Sequence, residues 1–277
     1  MRFRTAALTL ATVSLGACGG GGPAAPPELA FGLPAETTVR YLTGDTATMD
    51  IDAGGQVMQA FVASSATLGT AFARSDEGIR VTVTAEELKG TINSPAGAAS
   101  ADKGAVQGTL VFDLDRRGVA TVVSQPTVTE TGAQFFQPLT LAHGLFPRLP
   151  GGAPDMGSSW TDTIRMEGPQ GGGTLSSVSV VTFTLAGDTV VDGRSLVRID
   201  MEGTSEASAK GVTTGMDFNQ SVKGTAKGWY LWDMQRRLLV ESYAEVDGRG
   251  TMEVAAAPFP LGIRVRSQSR VRLDAGM

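Results

Sequence analysis

The feature that most constrains the fold of this chain is a long alternation of apolar and charged residues near its carboxyl end. Between Phe259 and Asp274, six apolar side chains share the odd positions and four arginines share the even positions. A period of two places successive side chains on opposite faces of a β-strand, so the segment predicts one strand. Its 16 residues, at about 3.3 Å each, would span roughly 53 Å, so the strand has to twist and bend. The apolar residues are Phe259, Leu261, Ile263, Val265, Val271 and Leu273, and the arginines are Arg264, Arg266, Arg270 and Arg272.

Two further segments alternate in the same way, Ile79–Ala85 and Leu196–Glu202. Turn-forming sequences stand between alternating runs at Asp115–Gly118, Val191–Arg194 and Val246–Arg249. Alternating runs separated by such turns are typical of antiparallel strands joined by hairpins. The chain is therefore predicted to be mainly β, with about ten to twelve strands in a long curved antiparallel sheet, either a half-barrel or an open barrel-like sheet.

One segment departs from the alternation. Pro138–Phe146 has apolar residues at helical spacing, begins with a proline and is followed by Pro147. Proline suits the first position of a helix and stops a helix that would otherwise continue. The sequence therefore predicts one short helix here, lying on the sheet.

The chain also repeats itself at an offset of about 120 residues. Three matches occur in the same order, which predicts two related β halves, residues 36–146 and 147–277, joined as one continuous domain. The matched segments are Asp45–Asp50 with Asp162–Glu167, Ile79–Val81 with Val197–Ile199, and the 16 residues from Gly108 with those from Gly228.

The chain's single cysteine, Cys18, follows an apolar segment near the amino end. Arg2 and Arg4 precede an uncharged run over residues 5–17, which is the pattern of an export signal. The run is shorter than the roughly 20 apolar residues that a membrane-spanning helix needs. Leu15–Ala17, directly before the cysteine, resembles the lipobox of bacterial lipoproteins, with leucine three positions before the cysteine and small residues between them.

This resemblance implies that diacylglycerol is transferred to the sulfur of Cys18, that residues 1–17 are removed as a signal peptide, and that the new amino terminus is acylated. Residues 18–35 would then be a lipidated tether, since a segment rich in glycine, alanine and proline is typical of a spacer. Gly19 follows the cysteine, and the absence of aspartate at this position resembles lipoproteins that are sent to the outer membrane rather than retained at the inner one. The resemblance therefore implies a cell-envelope protein whose partner is the membrane, anchored through Cys18 in the outer membrane and facing the periplasm.

No arrangement of residues in the sequence predicts catalysis, a metal site or a cofactor. His143, the single histidine, lies in the predicted helix, and no Gly-x-Ser-x-Gly elbow presents a serine to it. Ser100 and Lys103 match Ser-x-x-Lys but lack the partner motifs of that enzyme class. The formal net charge of −5 argues against nucleic acid as a partner. The sequence thus predicts a non-enzymatic protein with no catalytic residues, no metal and no cofactor.

The arginine row, Arg264 to Arg272, has two interpretations. It could bind anionic lipid head groups or an acidic partner. Alternatively, it is a solvated face whose arginines pair with acidic side chains on neighbouring strands, and this interpretation is favoured. The candidate acidic partners are Asp200, Glu202 and Glu241.

A long curved antiparallel sheet with a small helix, on a lipid-anchored protein, resembles the half-barrel fold of lipoprotein-localisation factors. In that fold the concave apolar face holds acyl chains, so the resemblance implies a hydrophobic ligand in the concave face. The sequence assigns no ligand-binding residues. The first hypothesis is a lipid-anchored, non-enzymatic binding protein, and the alternative is a structural or adaptor lipoprotein that binds another envelope component.

Overall fold

The structure is a computed structural model, and it describes residues 28–95, 97–170, 173–191, 193–213, 216–255 and 259–274. Within these ranges it contains strands, two single-turn 3₁₀ helices (Lys103–Ala105 and Gly132–Gln134) and one α-helix, α1 (Pro138–Gly144). The strands are β1 (Thr38–Asp52), β2 (Val57–Ser75), β3 (Gly78–Ser94), β4 (Gly97–Asp102), β5 (Val106–Gln107), β6 (Leu110–Leu114), β7 (Ala120–Ser124), β8 (Thr127–Val128), β9 (Ser159–Gln170), β10 (Gly173–Val191), β11 (Arg194–Thr213), β12 (Met216–Asp233), β13 (Leu238–Val254) and β14 (Leu261–Leu273).

Twelve of the described strands form one antiparallel sheet that curves into an open half-barrel. Their order is β7-β6-β3-β2-β1-β14-β13-β12-β11-β10-β9, with β4 beside β6 along the edge of β3. The last strand, β14, pairs with the first, β1, so strands from residues 36–146 and 147–277 belong to the same sheet. The helix α1 packs against β9 at one edge and against β7 and β6 at the other. The predicted mainly β, curved antiparallel fold with one short helix is confirmed.

The alternation near the carboxyl end forms β14, which is three residues shorter than the segment predicted. In its register with β1, Val265 lies opposite Met49 and Arg264 lies opposite Asp50. Directly opposed residues share a face of the sheet. We call the face that carries Val39 and Tyr41 the inner face, and the face that carries the arginine row the outer face. The other two alternating segments lie within β3 and β11.

The predicted helix forms as α1, with Pro138 at its start and Leu145 as its carboxyl-terminal cap. It buries Leu139 and Ala142. Among the described residues, no helix is long and apolar enough to cross a membrane. The predicted turn at Asp115–Gly118 joins β6 to β7, and the Asp115 carboxylate accepts hydrogen bonds from the backbone N–H groups of Arg117 and Val119 at 2.8 Å. The turn predicted at Val191–Arg194 lies where β10 ends and β11 begins, although residue 192 is outside the described residues.

The turn predicted at Val246–Arg249 is wrong. Strand β13 runs without interruption through these residues, and Asp247 lies opposite Arg266 on β14. Gly248 faces inward, where an added Cβ would lie 2.7 Å from the side chain of Val222. The glycine of this aspartate-glycine pair therefore serves another purpose than a turn. It relieves crowding on the concave side of the sheet and does not reverse the chain.

The hydrophobic core fills one end of the half-barrel. Phe146, just after α1, is at its centre, with ring centroids between 5.9 and 6.5 Å from four other aromatic rings. On the central strands the core cluster extends to Tyr41 of β1 and Val271 of β14. Helix α1 and the segment around it therefore cover only part of the inner face. The four rings around Phe146 are Phe31, Tyr41, Phe72 and Phe112.

The packed domain begins before the predicted boundary at residue 36. Leu29 and Phe31, assigned from sequence to the tether, are 1% and 8% exposed and belong to the core. The N–H of Leu29 donates to the carbonyl of Gly152 at 2.7 Å, and the Phe31 ring packs 4.9 Å from Trp232. Large apolar side chains outweigh the glycine- and proline-rich composition of this segment, because each contributes about 2 kcal/mol when buried.

The repeated sequence segments occupy corresponding strands. Asp45 and Asp162 lie on β1 and β9, and the second matched pair lies on β3 and β11. The third pair forms the hairpins β6–β7 and β12–β13. These are the positions that two related halves would give, and the relationship itself stays a prediction.

Glycines on the inner face let the sheet curve sharply. Gly228 shares the inner face with Tyr230, and a Cβ at Gly228 would overlap the carbonyl oxygen of Tyr243 on the next strand. Gly250 is placed in the same way against Ser221. Neighbouring strands come this close on the concave side of a curved sheet, where a side chain would force them apart.

We expect Gly228→Ala to lower the free energy of unfolding by about 1–3 kcal/mol, because the added methyl group overlaps backbone atoms. Chemical denaturation followed by circular dichroism measures this loss. The matched control is Gly44→Ala, also within a long strand but on the outer face with no atom within 4 Å of the added Cβ. Equal stabilities of the two variants would contradict the assigned curvature.

Candidate functional site

The inner face continues beyond the core as an apolar surface on the central strands β1, β13 and β14. Its residues are buried or half-buried. None of them belongs to the core cluster or packs against it among the described residues. We call this surface the central inner face. It consists of Ala47, Met49, Ile51, Val246, Gly248, Gly250, Met252, Ile263, Val265 and Ser267.

Asp45 lies where the core ends and the central inner face begins. It follows Val39, Tyr41 and Thr43 on the inner face of β1. Ser64 of β2 and Ser269 of β14 lie directly opposite it on the two neighbouring strands. A carboxyl group is thus placed on the inner side of the sheet, among uncharged residues of β2, β13 and β14.

The position of Asp45 changes its protonation. Burial raises the pKa of Asp45 from 3.8 to about 6, opposed by a hydrogen bond from the Ser269 hydroxyl. The side chain is nevertheless exposed to solvent. The exposure and the raised pKa are compatible if the carboxyl group faces a water-accessible space that the half-barrel partly encloses. In such a space, protein replaces much of the bulk water that would stabilise the charge of the carboxylate.

The outer face carries the arginine row, and acidic side chains of β13 and β1 pair with it. Arg264 contacts Asp247 at 2.6 Å and Arg266 contacts Asp50 at 2.6 Å. Arg270 and Arg272 both pair with Glu241, the latter at 3.8 Å. The favoured interpretation, arginines paired with neighbouring strands, is what the structure shows. Of the predicted partners Glu241 is correct, whereas Asp200 pairs with Arg198 at 2.6 Å and Glu202 lines a groove.

These pairs shift the protonation of the acids. A hydrogen bond from Arg264, helped by its charge, lowers the pKa of Asp247. Hydrogen bonds from Gln59 and then Arg266 lower the pKa of Asp50. Exposed pairs of this kind each contribute little to stability. The outer arginines are therefore largely neutralised by the protein itself.

A groove of about 1000 Å³ crosses the outer face. It runs over six strands, β1, β14, β13, β12, β11 and β10, at one level of the register. Most of its charged side chains are paired, as Lys227 is with Glu245 at 3.1 Å. Five threonines line the groove: Thr46, Thr48, Thr182, Thr204 and Thr225.

The other residues considered from the sequence do not form a reactive site. His143 is half-buried in α1, where burial and the nearby charge of Arg148 lower the pKa of its imidazole. Ser100 lies on β4, and Lys103 begins the 3₁₀ turn that follows. No group of three or more histidine, cysteine, aspartate or glutamate side chains in the described chain could hold a metal. Cys18 lies outside the described residues.

Sequence reasoning missed Asp45 as a site residue, although a signal was present. The inner positions of β1 read Val39, Tyr41, Thr43, Asp45, Ala47, Met49, Ile51, so a charged residue interrupts an apolar face. The raised pKa and the enclosure depend on neighbouring strands, which no local pattern in the sequence contains.

No protein-family model matches the chain, and no curated protein matches it. Among solved structures, the chain is similar to the crystal structure of neisserial surface protein A, NspA, at 9% sequence identity. The match covers 86% of this chain and 99% of that chain, with a TM-score of 0.22. A TM-score this low does not establish a shared fold, so no functional conclusion is drawn from it.

We expect Asp45→Asn to stabilise the protein at neutral pH. A raised pKa means that the folded state holds its proton more tightly than the unfolded state, so the wild-type protein loses stability as the pH rises from about 4 to about 6. Asparagine has the same shape and no charge to bury. Thermal unfolding across this range should show a higher midpoint for the variant above about pH 6 and nearly equal midpoints below about pH 4. A variant that is less stable at neutral pH would show that the carboxylate is well solvated or paired.

Proposed function

We propose that this chain is a lipid-anchored protein of the bacterial cell envelope that binds a hydrophobic ligand against its central inner face and catalyses no reaction. One observation carries the proposal. The core fills only one end of the half-barrel, and the apolar residues beyond it lie outside the core cluster of the described chain. Apolar surface of this extent costs free energy when water covers it, and a ligand with an acyl chain would remove that cost.

The composition of the central inner face suits such a ligand. Met49 and Met252 are flexible and adapt to apolar partners of different shape. From Asp45 to Ile51 the face extends roughly 20 Å along β1, at about 3.3 Å per residue. An extended acyl chain has a comparable length.

The anchor and location rest on the lipobox resemblance around Cys18. Several acyl chains on one residue hold a protein firmly on a membrane, whereas a single chain holds it only marginally. The residues between Cys18 and the packed domain, to which Leu29 already belongs, would be the link to the anchor. Under this proposal the half-barrel stands close to the outer membrane on its periplasmic side.

The ligand face can be tested with the full chain in bacterial cells supplied with a diazirine-bearing fatty acid, which the cells incorporate into their lipids. After irradiation, peptide mass spectrometry should place the label on inner residues such as Met49 and Val265, and not on their outer neighbours Thr48 and Arg264. Label attached at Cys18 is set aside, because the anchor itself would take up the probe.

A pair of variants sharpens this test. Val265→Arg places a charge on the inner face and should abolish labelling there, whereas Thr48→Arg on the outer face should leave it intact. Circular dichroism confirms that both variants are folded. Label spread over both faces, or confined to the anchor, would contradict binding on the inner face.

For the anchor, Cys18→Ala should eliminate incorporation of labelled palmitate and release the protein from the membrane fraction, because alanine has no sulfur to acylate. Metabolic labelling and fractionation measure both effects. Cys18→Ser is a second variant that keeps the size and polarity of the site. Persisting label in either variant would refute lipidation at this residue.

The outer groove favours a second candidate function, an adaptor lipoprotein whose outer face binds another envelope component. The groove crosses six strands and is lined by hydroxyl groups, as a polar partner would require. A photoreactive amino acid at Thr225 distinguishes the two candidates. A crosslinked protein partner, together with an unlabelled inner face, would favour the adaptor.

A further inference from the structure

We propose that the ligand of the central inner face carries a cationic head group, which pairs with Asp45 while its apolar tail lies along the residues that follow. This inference rests on the proposed function and names the class of amphiphile that the site takes. It starts from the distribution of charge over the sheet.

On the fully described strands β1, β13 and β14, Asp45 is the one charged residue whose register places it on the inner face. The charged residues around it in the sheet face outward, and many of them are paired there, such as Asp50 with Arg266. An acidic group among apolar residues on a concave surface is a candidate binding site, since its charge is costly unless a ligand compensates for it.

No protein cation compensates Asp45 from the strands beside it. Its described partner is the neutral hydroxyl of Ser269. Between Met58 and Thr70, the inner side chains of β2 are not titratable, and those of β14 and β13 are likewise uncharged. The nearest titratable groups on this face are Tyr41 of β1 and Tyr230 of β12, both buried and neutral because burial raises the pKa of each phenol.

Small residues leave space over the carboxyl group. Along one row of the register, Asp45 lies between Ser64 and Ser269, followed by Ala244 of β13. A bulky side chain at any of these positions would project over the carboxyl group. Along β1, Thr43 and the core lie on one side of this row. The apolar residues from Ala47 onward lie on the other side.

The arrangement matches an amphiphile in both parts. An ammonium group would form a charge-assisted hydrogen bond with the carboxylate, while the tail covers Met49 and Val265. An anionic head group, as in a fatty acid, would be repelled by ionised Asp45. The site therefore selects a cationic amphiphile over neutral and anionic ones of the same chain length, and it loses that selectivity when Asp45 takes up a proton.

The test uses the purified full chain in nanodiscs of zwitterionic phospholipid and two photoactivatable probes of equal chain length, a long-chain primary amine and the matching alcohol. Labelling of inner-face peptides should favour the amine on the order of tenfold at neutral pH, a ratio that corresponds to about 1.4 kcal/mol and that one charge-assisted hydrogen bond can supply. This preference should decline as the pH falls through about 6, where Asp45 becomes protonated.

Asp45→Asn should remove the preference for the amine. The alcohol should still label the inner face of this variant, which shows that the variant is folded and that its central inner face still binds an apolar tail. Asp50→Asn, on the same strand but facing outward, should behave like the wild-type protein. An amine preference that survives in Asp45→Asn, or equal labelling by both probes in the wild-type protein, would overturn the inference and leave the proposed function standing. Absence of inner-face labelling by either probe would overturn both.

Discussion

The side chains of each long strand alternate between the two faces of the sheet. The polar face is therefore exposed to water, and the apolar face has to be covered. The outer positions carry the charges, which pair with one another across β1, β13 and β14. The inner positions carry apolar and small residues, and glycines such as Gly228 allow neighbouring strands to approach where the sheet curves. Once the two faces differ in this way, the half-barrel has a definite inside, and the remaining question is what covers it.

The chain covers that inside only in part. Phe146, the residues around α1 and the early segment containing Leu29 and Phe31 form a core at one end. Beyond Tyr41 and Val271 the inner face of these strands continues outside this core. Asp45 stands at this boundary, where its ionised form weakens the folded state at neutral pH. A residue that lowers stability is easier to understand if it serves binding, since functional sites commonly trade stability for activity.

Much of the fold follows from local pattern, and the site does not. The alternation in β14 is visible in the sequence because its outer face is arginine-rich, and α1 is visible because prolines mark both of its ends. An aspartate-glycine pair has the same composition in a hairpin and on the concave side of a continuous strand, so the sequence alone predicts a turn at Gly248. Leu29 and Phe31 resemble part of a tether in the sequence because their partners, Gly152 and Trp232, are far away along the chain. The surroundings of Asp45 and the shape of the outer groove depend on how several strands curve together. An alternation within one strand does not predict this curvature.

Native mass spectrometry of the full chain, extracted from the envelope and released from its micelle in the instrument, tests the central claim most directly. The account predicts a population whose mass exceeds that of the lipidated chain by one amphiphile, and an Asp45→Asn or Val265→Arg substitution should reduce that population. A wild-type chain that carries only its covalent lipids, under conditions that preserve its folded charge states, would contradict a ligand on the inner face.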